Sequence, residues 1–380
     1  MARRLRSAPP GAERDAAVDV VKGVACALMI VAHVPFGKAP WLTSVTMAAV
    51  LFFASTGMNV EGILERRPGH ARRLAANALF LIFGGLADNY VQGTLKDCDV
   101  FQIAGLAMLA MLLLRHLLPG CWTWLFPLPF LLHAANQHFH WKIAAGGLSS
   151  YFLTPGLFPL IPWLSFYILG AHLVKHRTGK QGWVIAAVAS LLLVSLLLVR
   201  PFEFQKFWMS ADYFLIGCGV VALSLAALRR WLSPRAQTLL TEIRRWGANS
   251  LVFYIVNNFT VKALELFGLT GVPLFLLAVV VTALLLRPAF ALQKWTSTLP
   301  PVTVLLVSVF AAAAAIGVAS ALGQVSFYLR TLSTFGVTFS FVAAYPAWKN
   351  LSRALCSPEP SAFEVRELAP AFARESARGE

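Results

Sequence analysis

The chain has 380 residues, of which 58% are hydrophobic and only 13% charged, where a soluble domain carries about 25% charged residues. Apolar runs of membrane-spanning length recur along it and use up most of its length, so no sizeable soluble domain fits between them. The net charge of +15, from 32 basic and 17 acidic residues, sits in short clusters between those runs. That placement is the signature of membrane topology and argues against nucleic acid as a partner.

Read in order, the pattern predicts an all-α polytopic membrane protein. About twelve helices (range 10–12) are expected, over 18–36, 43–62, 74–93, 100–118, 121–137, 156–174, 183–200, 211–229, 247–267, 272–291, 302–322 and 327–347. The basic N-terminus precedes an apolar stretch, as in a signal peptide, but Asp19 and Lys22 interrupt the stretch and no small-residue cleavage site closes it. We read it as an uncleaved first helix. Every even-numbered exit is basic: Arg66, Arg67, Arg72 and Arg73 after the second helix, Lys175, Arg177 and Lys180 after the sixth, and Arg229, Arg230, Arg235, Arg244 and Arg245 after the eighth. Odd-numbered exits hold single cations such as Lys38, Lys96, Lys142 and Lys206. Both termini are therefore expected on the cytoplasmic side of a cell membrane. The membrane domain is expected over 1–348, and the polar 349–380 reads as a disordered cytoplasmic tail. Cys26, Cys98, Cys121, Cys218 and Cys356 are scattered and form no C-x-x-C pair, so no disulfide framework or zinc site is expected.

Helix one, DVVKGVACALMIVAH, carries Asp19, Lys22 and His33. At about 100° per residue all three share one face, and Lys22 and His33 lie roughly 16 Å apart along the axis, about half of the hydrocarbon core. An ionisable stripe inside a membrane is costly, which makes it a functional-site hypothesis. Histidine suits proton transfer near neutral pH. Other helix ends are polar as well. Asp88, Asn89 and Gln92 close the third, Asp97, Cys98 and Asp99 follow it, and Gln102 opens the fourth. Asp88, Asn89 and Gln102, with the helix-six residue Trp163, are the residue types that would hold a polar acceptor such as a sugar; Trp163 could equally anchor the membrane interface. Asn257 and Asn258 lie deep in helix nine and must find partners, while Lys262 and Glu265 are spaced to satisfy each other. His138 and His140 lack a third ligand at a telling spacing. The loop ERRPGHARR, over 65–73, reads first as plain topology, but its four arginines also suit phosphates of a cytosolic ligand.

These features together resemble the membrane-bound acyltransferases of the acyltransferase-3 and heparan-glucosaminide acetyltransferase superfamily. The likeness rests on the acidic, basic and His pattern of Asp19, Lys22 and His33, and on LFFASTGMNV at 51–60, DVFQIAGLAML at 99–109, FPLIPWLSFYILGA at 158–171 and GANSLVFYIVN at 247–257. Lys22 stands where arginine is usual, as in the F-pilin acetylase branch, and Asn257 stands where a histidine often closes the helix-nine stretch. The resemblance implies transfer of an acyl group, acetyl in most members, from cytosolic acyl-CoA to a hydroxyl or amine of a glycan or lipid-linked sugar on the far side, with no metal. It implies His33 as the catalytic position, Lys22 as the motif's cation and Asp19 as its acidic partner; Arg66, Arg67, Arg72 and Arg73, by their own chemistry, would suit the phosphates of that donor. The residues by themselves leave open a secondary transporter or flippase, in which Asp19, Lys22 and Asp88 would be proton or substrate sites.

Overall fold

A computed structural model describes residues 15–36, 47–95, 97–139, 149–153, 158–176, 179–206, 209–321 and 327–356. The arginines before residue 15, His140 and the predicted tail from Ser357 onward lie outside them. Among the described residues the chain is all helical, with no strand. The long helices are α1 (Ala16–His33), α2 (Ala48–Arg66), α3 (Ala71–Gln92), α4 (Val100–Leu117), α5 (Leu128–His138), α6 (Leu160–Lys175), α7 (Gly179–Val199) and α8 (Ala211–Trp231). After the short α9 (Pro234–Leu239) and α10 (Thr241–Ala248) come α11 (Ser250–Leu266), α12 (Gly271–Thr296), α13 (Pro301–Ala321) and α14 (Phe327–Cys356). Seven of them, α1, α3, α4, α7, α8, α12 and α13, are long and apolar enough to cross a membrane, and α6 is a shorter apolar helix. The faces left uncovered are apolar too. Leu191 and Leu198 on α7, Leu276 and Val280 on α12, and Val307 and Phe310 on α13 are all exposed. An apolar surface of that extent calls for hydrocarbon rather than water around it.

Local signals set the helix starts. Asp15 caps α1 by accepting the Ala17 N–H at 3.0 Å. Asp99 and Gln102 form a reciprocal capping box at α4. Helix ends gather in two tiers. In one, Arg115 at the end of α4 meets Glu61 of α2 at 2.5 Å, Arg229 of α8 meets Asp15 at 3.0 Å, and Lys175 of α6 reaches the Pro119 carbonyl. In the other, Gly271 N–H donates to the Pro35 carbonyl, Phe158 N–H donates to the Cys98 carbonyl, and Lys206 lies over the Phe158 ring.

Two expectations change. The predicted fifth span, 121–137, is a 3₁₀ turn at Trp122–Leu125 followed by an 11-residue helix, α5. Pro127 and Pro129 restart the chain there, and the helix is only about 16 Å long, half of a bilayer core. The segment nevertheless leads from the Pro119 tier to the Phe158 tier. The predicted boundary at 348 falls inside α14, which runs to Cys356. Phe341, Tyr345 and Trp348 all lie against Phe80 of α3, and the helix continues from there past the predicted boundary.

Helices α2 and α6 cross in close contact. A Cβ on Gly57 would fall 1.9 Å from the Tyr167 carbonyl oxygen, and one on Gly170 would fall 1.9 Å from that of Ala54. Backbone here touches backbone, and the Phe53 ring stacks on Tyr167 beside it.

Candidate functional site

A cavity of about 750 Å³ opens at the Asp15 tier and runs inward between α2, α3, α4, α11 and α14. Its lining on α2 extends from Arg66 to Phe52, a depth of about 21 Å at the helical rise. Six cations line it: Lys22, Arg66, Arg67, Arg73, Lys349 and Arg353. Among the described residues no carboxylate does. Polar groups follow further in. Among them is Asn77, buried, whose Oδ1 has no hydrogen-bond partner. The deep end is apolar and aromatic, with Phe52, Val100, Phe101 and Tyr254.

The ERRPGHARR loop therefore divides. Arg66, Arg67 and Arg73 face the cavity, whereas Arg72, one position along the helix, is exposed and does not line it. Lys349 and Arg353 join them from α14. Sequence reasoning missed both because it ended the last helix too early.

The stripe on α1 also divides. Lys22 lines the cavity, its Nζ 5.0 Å from the Phe52 ring centroid. Asp19 is buried and lies where α10 crosses α1; a Cβ on Gly247 would fall 2.0 Å from its carbonyl oxygen. His33 lies deeper, one ring beyond the cavity. Its Nδ1 is 2.9 Å from Asn257 Nδ2, and its ring meets the edge of Tyr254 at 6.0 Å. Tyr254 lines the cavity, and its hydroxyl donates to Asp99 Oδ2 at 3.5 Å. So α11 supplies both the residue that holds the imidazole and the ring that separates it from the cavity. The orphan amide at 257 thus finds its partner in His33. Donation from the Asn257 amide nitrogen to Nδ1 places the imidazole proton on Nε2. The Asn257 Oδ1 is buried without a partner. Turning the amide over makes that oxygen accept from Nδ1–H and leaves the Nε2 lone pair free.

The expected acceptor residues have unequal fates. Asp88 is buried and accepts from Gln92 Nε2 at 2.8 Å and from the Thr338 hydroxyl at 3.1 Å. Gln92 Oε1 in turn accepts from Lys262 at 3.5 Å. Lys262 thus reaches Gln92, while its charge also acts on Glu265. Asn89 donates to the Asp97 carbonyl at 2.6 Å, tying down its own loop. The Gln102 carbonyl closes the α4 capping box. Trp163 does not line the cavity, and its buried Nε1 has no hydrogen-bond partner. It is fully buried among Phe53, Phe158 and Tyr213. Asp99, the α4 cap, is the acidic group beside Tyr254, which no local pattern distinguishes from Asp97. Burial raises its carboxyl above the ordinary range, against the pull of the Val100 N–H and Lys262. Across the same tier, burial lowers the Lys206 ammonium to about 8. No group of three or more metal-ligating side chains occurs among the described residues; His138 ends α5 without such neighbours.

Family models, curated proteins and solved structures give no match to this chain. The reading of the site rests on its own residues.

Proposed function

We propose that this chain is a membrane acyltransferase that crosses the bilayer twelve times, the broken α5 segment included. Both termini and the cavity mouth lie on the cytoplasmic side, which puts the basic loop clusters inside. The observation that carries the reading is one continuous cavity with six cations and no carboxylate, ending one aromatic ring from His33. Arg66, Arg67, Arg73, Lys349 and Arg353 would take the phosphates of acyl-CoA, which guanidinium groups match bidentately. The thioester arm would extend inward past Asn77 and Lys22. Tyr254 turns aside for the acyl carbon to meet His33.

With Asn257 Oδ1 holding Nδ1–H, His33 Nε2 takes the proton from the acceptor's hydroxyl or amine. The acceptor atom bonds to the acyl carbon as the carbon–sulfur bond breaks, and the proton passes to the departing thiolate. Lys22 and Asp19 keep supporting roles, the first toward the donor and the second in seating α10 on α1. The acceptor, a glycan or lipid-linked sugar, would enter from the other tier, where Asp88, Gln92 and Lys262 form a polar chain.

The test uses membranes expressing the protein, with acyl-labelled acetyl-CoA. Label should appear in a glycan or glycolipid fraction with the unaltered protein. His33→Ala should abolish it while leaving CoA binding and membrane insertion intact. Equal labelling with His33→Ala would refute the role of His33. Counterflow of a substrate without any acyl donor would favour transport instead.

A further inference from the structure

The deep end of the cavity carries a specificity as well as a boundary. Phe101 sits in the first turn of α4 and is 3% exposed. The Asp99–Gln102 capping box fixes that turn. Its ring meets Tyr254 edge-on at 5.2 Å and leans on Phe341 of α14 at 5.4 Å. The Phe341 support cannot retreat: it is wedged against α3, where a Cβ on Gly84 would fall 1.9 Å from its ring. Behind the α4 turn, a Cβ on Gly85 would fall 2.9 Å from the Phe101 Cβ. The Phe101 side of the end wall is therefore rigid in the direction in which an acyl chain would grow, and Tyr254 is the side that turns aside in transfer.

Resting on the donor reading above, we propose that Phe101 is a specificity-determining residue that limits the transferred acyl group to a few carbons. A thioester whose carbonyl reaches Tyr254 leaves its chain facing Phe101, Val100 and Phe52, all of them lining the cavity. An acetyl group fits there. Each further methylene must displace a packed ring, and in a close-fitting apolar pocket a single methylene already discriminates by about 10- to 200-fold.

The experiment uses the full-length protein in native membranes, with labelled acyl-CoAs of two, four, eight and twelve carbons. Transfer is measured beside competition by unlabelled CoA for donor binding. Acetyl should be transferred at least about 10-fold faster than octanoyl. Phe101→Ala should raise the octanoyl-to-acetyl ratio about 10-fold or more, and Phe101→Leu should raise it less. Ala104→Leu, which adds bulk to the same lining, should lower the butyryl-to-acetyl ratio while acetyl transfer continues. Because these variants move selectivity in opposite directions, a folding defect in one of them cannot imitate the pattern. Two results would overturn the inference with the donor site standing: octanoyl transferred as fast as acetyl by the unaltered protein, or folded Phe101 variants and Ala104→Leu with unchanged ratios. Failure of CoA to compete in the unaltered protein would overturn the donor reading itself, and the inference with it.

Discussion

Replacing Gly57 by alanine tests whether the α2–α6 crossing is held by direct backbone contact. The new Cβ would lie 1.9 Å from the Tyr167 oxygen, and ordinary contact begins near 3.4 Å. The helices must therefore part by about 1.5 Å, and a gap of even 0.5–1 Å already forfeits a quarter to a half of the dispersion across it. The stacked Phe53–Tyr167 pair, at 5.1 Å, and the Phe53–Trp163 pair, at 5.3 Å, span that crossing. Such pairs contribute about 0.5–1.5 kcal/mol each, and overpacking by itself costs about 1–3 kcal/mol. We expect a loss of about 3 kcal/mol and a fall of several degrees in the unfolding midpoint. Thermal unfolding of the detergent-solubilised protein, followed by tryptophan fluorescence, reads this directly. Gly170→Ala, which meets the Ala54 oxygen at the same crossing, should behave alike. The double variant should cost less than the sum, because one separation of the helices accommodates both methyl groups. A Gly57→Ala midpoint within a degree of the parent, or strict additivity in the double variant, would refute the reasoning.

Other predictions follow from the site. Asn257→Leu should slow acyl transfer by about 100-fold, whereas Asn257→Asp, whose carboxylate still accepts from Nδ1–H, should stay within about 10-fold; equal rates for both would remove Asn257 from the orientation of His33. Arg73→Gln and Arg353→Gln should each raise the dissociation constant for CoA about 10-fold or more, as loss of a charge-assisted hydrogen bond does. Arg72→Gln should leave it unchanged, and a binding titration that ranks all three alike would contradict the split of the arginine loop. Lys206 should react with an amine-directed acylating reagent with a midpoint near pH 8, well below ordinary lysines, as read by mass spectrometry. The sign for stability follows: because its folded pKa lies below the unfolded value, the unfolded chain binds more protons between about pH 8 and 10.4, and this group's contribution improves as pH rises through that window.

The helical layout was legible because long apolar runs leave the chain few alternatives, and the loop cations marked where those runs end. The local breaks were less so. Pro127 and Pro129 fall inside a run whose average hydropathy still reads as a span, and α14 continues to Cys356 past the contact of Tyr345 and Trp348 with Phe80. That contact lies more than 260 residues away in sequence, and no local pattern announces it. The shared face of Asp19, Lys22 and His33 was correct as helical geometry. It could not say that three different elements, α10, the cavity and α11, would each claim one of them. Asn257 was legible as a polar group in need of a partner. Asn89 and Gln102 were not separable from site residues, because an amide that closes a loop or a cap looks in sequence like one that waits for a ligand.

On the proposed donor reading, the six cations of the cavity lining have a consequence for turnover. If the phosphates of the donor neutralise it, the spent carrier leaves transfer with the same phosphates it brought in, and the mouth holds it as firmly as the fresh one. Chemistry at His33 would then be followed by a slow exchange on the cytoplasmic side, and turnover would track the ratio of charged to uncharged carrier more closely than the supply of acceptor. The cations that recruit the donor would thereby make the chain responsive to the acylation state of the cell's carrier pool.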